Sequence, residues 1–387
     1  MSSLTKEKNG IEFNFHGIVG LRLINPTNFD VKVITKKFDI TPQKLTFEPD
    51  IVINYNKELL LSELTYIGLN TAAFSNSDFY ILSNGKENVK VIIPFEDIGQ
   101  RKLKINCESG SPDVPLLNHL INFAFLSKGY LPLHSTAFKY KNIGTLVMGW
   151  TKGGKSESLF SFMKNGAEYV SDEVSIISHD GKEVLGLKVP ICIWKWQFKE
   201  IPEFLPKINF QKKMIIKIIQ LIKALNKFFK IGLIDKALPV LDTQLNVKTL
   251  PSKIFNSERI IPKMKLDVII LVVSHSSNEF VVEPIPINEV IDRMISSQED
   301  ELDYFYSFYN MFRYAFPHLS NEFLENLRSM QYKLMKKLLE NKKAFIVKHP
   351  YPVSFKNLYD EMKTIYSASE KEESIGKISN NEKLEVK

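Results

Sequence analysis

The sequence predicts an α/β fold, α+β overall, in which a β-rich N-terminal domain precedes a domain of strands and helices built round a glycine-rich turn. Three observations predict it. Between residues 10 and 104, short apolar runs alternate with polar positions and are separated by Asn, Pro, Gly and Ser. Residues 144–173 read as strand, glycine turn, helix and strand. A chain of 387 residues that is 44% hydrophobic, with 27 Phe, 14 Tyr and three Trp, has enough apolar mass for two cores.

Taken in order, strands are expected at residues 11–15, 21–23, 31–33, 51–53, 79–82 and 89–93, forming an antiparallel domain over 1–106. A Gly/Ser/Pro linker covers 107–115, and an apolar helix over 116–127 leads into a strand carrying His134. The second domain is expected over 116–366. Within it, 268–273 and 280–283 read as strands joined hairpin-fashion, and 288–297 and 332–339 as helices. The aromatic stretch from Tyr304 to Phe316 lies between those helices and reads as core. Residues 367–387 are polar, poor in aromatics and expected to be disordered.

The turn Gly149-Trp150-Thr151-Lys152-Gly153-Gly154-Lys155-Ser156 fits the pattern G-x-x-x-x-G-K-[ST]. Glycines there let backbone N–H groups close round phosphate oxygens, at the positive end of the helix that follows. Lys155 would supply a cation for the β and γ phosphates, and the Ser156 hydroxyl would complete a Mg²⁺ shell. Leu159, Phe160 and Met163 give that helix an apolar face, and Asn165-Gly166 is a helix stop. Asp172 and Glu173 end the next strand, on the same carboxyl edge as the turn in a right-handed βαβ unit. Two acids so placed suit metal binding and proton acceptance.

These residues, with Leu131-Pro132-Leu133-His134-Ser135-Thr136-Ala137 ahead of them and Gly166 to Val174 behind, resemble the catalytic domain of HPr serine kinase/phosphorylase and its relatives. The resemblance implies a phosphoenolpyruvate-carboxykinase-like P-loop fold, with ATP and Mg²⁺ as cofactors. Position by position, it implies that Gly149, Gly154, Lys155 and Ser156 form the phosphate loop and that Glu157 is the acid often following the serine; Lys152 and Gly153, in the same turn, are expected to bind the cofactor with them. It implies further that His134 is the active-site histidine, that Asp172 is the base toward the acceptor hydroxyl, and that Ser156 and Glu173 are on the metal. Glu173 stands where the family usually has Asp. The family's Glu-Ile-Arg-Gly-like signature has no counterpart in residues 185–196, so an acceptor other than HPr is expected.

The expected activity is therefore transfer of the γ-phosphoryl group to a serine-type hydroxyl on a protein, peptide or small molecule. Two alternatives stay open: a nucleotide-binding regulatory module without turnover, and an ATP-switched scaffold at the membrane periphery. The net charge of +7 comes with no nucleic-acid motif, and much of the excess sits in one helix at 209–230. There Lys212, Lys213, Lys217, Lys223, Lys227 and Lys230 lie opposite Met214, Ile215, Ile218, Leu221, Ile222, Leu225, Phe228 and Phe229. That helix reads as one packing its apolar stripe on the catalytic domain, as a membrane-surface helix, or as a clamp for an acidic protein. Cys107 and Cys192 have neither paired nor metal-ligand spacing, and no signal segment or membrane-spanning stretch is visible, which points to a cytoplasmic protein. Besides His134, the histidines form no metal spacing and read as surface or packing residues.

Overall fold

The structure, a computed structural model, describes residues 10–59, 63–100, 102–229, 238, 241 and 245–367. The expected disordered tail beyond Ser367, Lys230, and the side chains of Lys227, Phe228 and Phe229 lie outside the described residues. The chain is a mixture of helices and sheets that divides into two compact units. One comprises Met1–His134, Val174–Lys188 and Pro286–Lys342; the other comprises Ser135–Glu173, Val189–Ile285 and Lys343–Lys387. The expectation of 1–106 followed by 116–366 draws a single boundary where the units in fact interleave. Strand pairing is the reason, since Leu131–His134 forms an antiparallel ladder with Val174–Ile177, which also pairs Glu183–Gly186.

In the first unit an eight-stranded sheet runs in the order Ile11–Phe15, Val19–Ile24, Ile51–Asn56, Leu103–Glu108, Asn88–Ile92, Phe79–Ser83, Ala72–Phe74, Thr65–Ile67. It is mixed, not antiparallel throughout: Ile51–Asn56 pairs parallel with both its neighbours. A parallel neighbour needs a crossover, and the expected strand at 31–33 is instead part of the helix Asn28–Phe38 that makes it. The β-branched residues there yield to a capping box, in which Asp30 N–H donates to Thr27 Oγ1 and Thr27 N–H donates to Asp30 Oδ2. The aromatic stretch belongs to one long helix, Ile287–Ala315, and its buried Phe305, Phe308, Tyr309 and Phe312 are core as expected. Phe312 stacks on Phe95 at 5.3 Å, whereas Tyr304 and Tyr314 are exposed. Fully buried Asn321 donates to the carbonyls of Phe95 (2.7 Å) and Ile98 (2.8 Å) and accepts from Gln100 Nε2 and Leu324 N.

The second unit is built on a six-stranded sheet in the order Glu168–Ser171, Thr136–Tyr140, Ile143–Met148, Val268–His275, Lys343–Pro350, Val281–Pro284. Ile143–Met148, Val268–His275 and Lys343–Pro350 run parallel side by side. The expected hairpin of the 268–273 and 280–283 strands does not form, because Lys343–Pro350 lies between them and pairs with both. The helix Lys155–Lys164 buries Leu159, Phe160, Phe162 and Met163, and Phe162 stacks on Phe138 at 4.7 Å. Arg259 closes its C-terminal end by donating to the carbonyls of Met163 and Ala167.

The basic helix spans Phe210–Phe229, but five of the six described side chains of the expected apolar stripe do not pack on the unit. Met214, Ile215, Ile218, Leu221 and Leu225 are exposed, and among the described side chains Ile216, Ile219 and Asn226 are the buried ones. The helix turns its other side inward, where Lys212, Lys213 and Lys223 are half-buried.

Candidate functional site

The strand Ile143–Met148 delivers the chain to the carboxyl edge of the parallel strands, where ligands of open α/β sheets collect. The turn that follows needs glycine at two positions for separate reasons. Gly149 has φ 154°, and a Cβ there would lie 2.5 Å from the Val272 carbonyl oxygen. Gly154 has φ 113°, and a Cβ there would meet His349 Nε2. The helix begins at Lys155 with Gly154 as N-cap and no side-chain cap, which leaves the first-turn N–H groups to be satisfied by something other than the N-cap side chain.

Lys155 is buried, and its Nζ donates to the carbonyls of Gly149 (2.9 Å) and Trp150 (3.0 Å), so the ammonium is held across the mouth of the turn. The Ser156 hydroxyl sits 3.1 Å from each oxygen of the Asp172 carboxylate. This contact joins the turn to the end of the strand Glu168–Ser171, which runs in the same direction as Ile143–Met148 with Thr136–Tyr140 between them. Asp172 is 2% exposed. Burial raises its carboxyl above the usual carboxylate range, while hydrogen bonds from Thr136 and Ser156 and the Lys155 charge pull it back.

Behind the turn stands a histidine with no motif to announce it. His349, 1% exposed, places Nε2 3.0 Å from the Gly153 carbonyl oxygen and Nδ1 2.9 Å from that of Pro350. Both neighbours are carbonyl acceptors, so each contact is a hydrogen bond when the ring nitrogen facing it carries its N–H. Glu157 is buried and accepts from Gln197 Nε2 at 2.9 Å; burial raises its carboxyl too. Lys152 has φ 62° and lays its Nζ over the Trp194 ring, 5.5 Å from the centroid.

The structure thus brings Gly149, Lys152, Gly153, Gly154, Lys155, Ser156, Glu157 and Asp172 together in one unit. Ser156 meets Asp172, where the expected metal pair was Ser156 with Glu173. Glu173, at φ 74°, is the last residue of its segment and lies near Cys192, whose thiol is raised first by burial and then by that carboxylate. His134 belongs to the other unit, where its N–H donates to Gln298 Oε1 and its Nδ1 is 3.4 Å from Glu301 Oε2. Among the described residues no group of three or more His, Cys, Asp or Glu could hold a metal ion. A Mg²⁺ ion held mainly by phosphate oxygens and water needs only one or two protein oxygens, and Ser156 and Asp172 supply such a pair.

His349, expected from the sequence to be a surface or packing residue, is buried behind the turn. One signal points to it: it stands two positions past the apolar run Ala344 to Val347, a strand-like stretch whose carboxyl end is where such sheets bind ligands. Gln197 and Thr136 carry no comparable signal. Compared with known proteins, the chain matches no family model and no curated protein. No helix among the described residues is long and apolar enough to cross a membrane.

Proposed function

We propose that the second unit is an ATP- and Mg²⁺-dependent phosphotransferase acting on a hydroxyl acceptor, with a P-loop resembling that of HPr-kinase-like enzymes. The observation that carries this reading is the Ser156–Asp172 contact, which sets a hydroxyl and a carboxylate together at the mouth of a glycine turn. The donor set fits the cofactors: a close-packed glycine turn, a helix N-terminus without a side-chain cap, a buried lysine, and a hydroxyl beside a carboxylate.

Bound ATP would supply the phosphoryl group, which leaves ADP as its bond to the acceptor oxygen forms, with Mg²⁺ offsetting phosphate charge. Lys155 would exchange the carbonyls of Gly149 and Trp150 for phosphate oxygens and so add a positive charge where negative charge accumulates. Asp172 would orient the acceptor hydroxyl and take its proton. Its raised pKa favours that role, since a base closer to neutrality is a better proton acceptor. Glu157 with Gln197 and His349 with Gly153 would keep the turn in shape without touching the reacting atoms.

A nucleotide-binding module without turnover is the second reading, and the deep burial of Asp172 favours it, because an acceptor must reach that carboxylate. Single-turnover transfer from ATP to a panel of serine peptides and small alcohols separates the two, run on wild type, Lys155→Ala and Asp172→Asn. Lys155→Ala should weaken ATP binding by about tenfold or more through loss of a charge-assisted contact. Asp172→Asn should keep ATP binding and cut transfer by about 10² to 10⁴. Undiminished transfer by Asp172→Asn would remove Asp172 as the base, and no transfer to any acceptor favours the module.

A further inference from the structure

Beside the glycine turn lies a cleft of about 1100 Å³, slightly larger than the roughly 300 to 1,000 Å³ of ordinary ligand sites. Its walls are apolar, with Trp194, Trp196, Phe198, Leu205 and Ile216 among them. Lys195, Lys199, Lys213 and Lys217 also line it, and no described lining residue is acidic. Trp194, one wall of this cleft, is the ring that Lys152 of the turn covers. An apolar cavity lined by lysines, with no acidic residue in its described lining, is complementary to a molecule with a long apolar body and an anionic head.

The helix Phe210–Phe229 borders that cleft with Lys213, Ile216, Lys217 and Gln220. A different face of the same helix carries Phe210, Met214, Ile218, Leu221 and Leu225, spaced i, i+4, i+8, i+11 and i+15 and exposed by 40 to 72%. A free fatty acid would fill the cleft and leave that stripe in water. A bilayer with anionic headgroups satisfies both, taking the stripe into its interface and presenting lipid to the cleft. We propose that this helix docks the protein on an anionic membrane surface and that the adjoining cleft receives the acyl part of an anionic lipid, with the four lysines at its head. This site stands on its own geometry and does not depend on phosphoryl transfer.

The test uses the full chain and vesicles of phosphatidylcholine alone or of an equimolar mixture with phosphatidylglycerol. Flotation is expected with the mixed vesicles only, weakening as salt rises. Ile218→Glu with Leu221→Glu, both at exposed positions, should reduce it at least tenfold with unchanged circular dichroism. Lys213→Glu with Lys217→Glu should do the same. In a Trp150→Phe background the remaining tryptophans, Trp194 and Trp196, both line the cleft, so brominated-acyl phosphatidylglycerol in the vesicles should quench the fluorescence. Flotation with neither vesicle would overturn the proposal. So would quenching by a soluble brominated fatty acid without flotation, which assigns the cleft to a free amphiphile. A dimer in light scattering that the stripe variant abolishes, again without flotation, assigns the stripe to a second copy of the chain and also overturns it.

Discussion

Gly154→Ala tests the packing that shapes the turn. The added Cβ would lie 2.1 Å from His349 Nε2 and 2.9 Å from its Cε1, and the backbone there has φ 113°. Two costs therefore arise. Holding an L-residue in that region costs about 1 to 3 kcal/mol, and forcing a methyl group into a packed ring costs about 1 to 3 kcal/mol more. His349 has little freedom to retreat, being 1% exposed with a carbonyl oxygen within 3.0 Å of each ring nitrogen. The sum, about 2 to 6 kcal/mol, is a large part of the roughly 5 to 15 kcal/mol that holds a domain folded. Urea unfolding of wild type, Gly154→Ala, His349→Ala and the double mutant measures the two costs separately. Removing the ring should abolish the steric part and leave the backbone part, giving a coupling of about 1 to 3 kcal/mol. A coupling within about 0.5 kcal/mol of zero would refute the claim that His349 is what keeps position 154 a glycine.

The raised carboxyl of Asp172 gives a pH dependence of definite sign. Its contribution to stability is fully present below the unfolded-state pKa and is lost as pH rises through the folded one, so wild type should lose stability relative to Asp172→Asn over that interval. Urea midpoints of both proteins across the acidic to neutral range check this, and a difference that grows in the opposite direction contradicts it. For the proposed transfer, the acidic limb of kcat/KM should lie above the ordinary aspartate value, because Asp172 must be ionised to accept a proton. In the first unit, Asn321→Ala strands the carbonyls of Phe95 and Ile98 in the core and should destabilise by about 2 to 5 kcal/mol. A loss under about 1 kcal/mol in chemical denaturation would show that water replaces the amide.

Local features are well written in this sequence and distant pairings are not. The turn at 149–156, the strand ahead of it and the helix after it depend on residues within about two turns of each other, and each forms where its pattern lies. Val31 and Val33 favour a strand by side-chain type, yet the Thr27–Asp30 capping box commits them to a helix, so a short polar signal outweighs β-branching. The false hairpin at 268–283 has another cause. Which strand lies beside Val268–His275 is decided by Lys343–Pro350, far along the chain, and nothing in the turn residues between 274 and 280 encodes that intrusion. In the same way Asp172 is readable as an acid at a strand end, but its hydroxyl partner and its burial appear only once the sheet is assembled. The stripe of the basic helix is legible as amphipathic, and which side faces inward is not, since Ile216 and Ile219 are buried in place of the longer stripe.

The parallel strand that carries His349 has a consequence for how the protein is made. His349 and Gly153 are separated by 196 positions, so a ribosome emits the turn long before the ring that backs it. At roughly 5 to 20 residues per second, the delay is about 10 to 40 seconds. During that interval the nascent turn lacks the side chain against which Gly154 packs, and the sheet lacks the neighbour of Val268–His275. On the proposed function, arrested nascent chains ending before position 343 should therefore be poor at capturing nucleotide, and competence should arrive late in synthesis and abruptly.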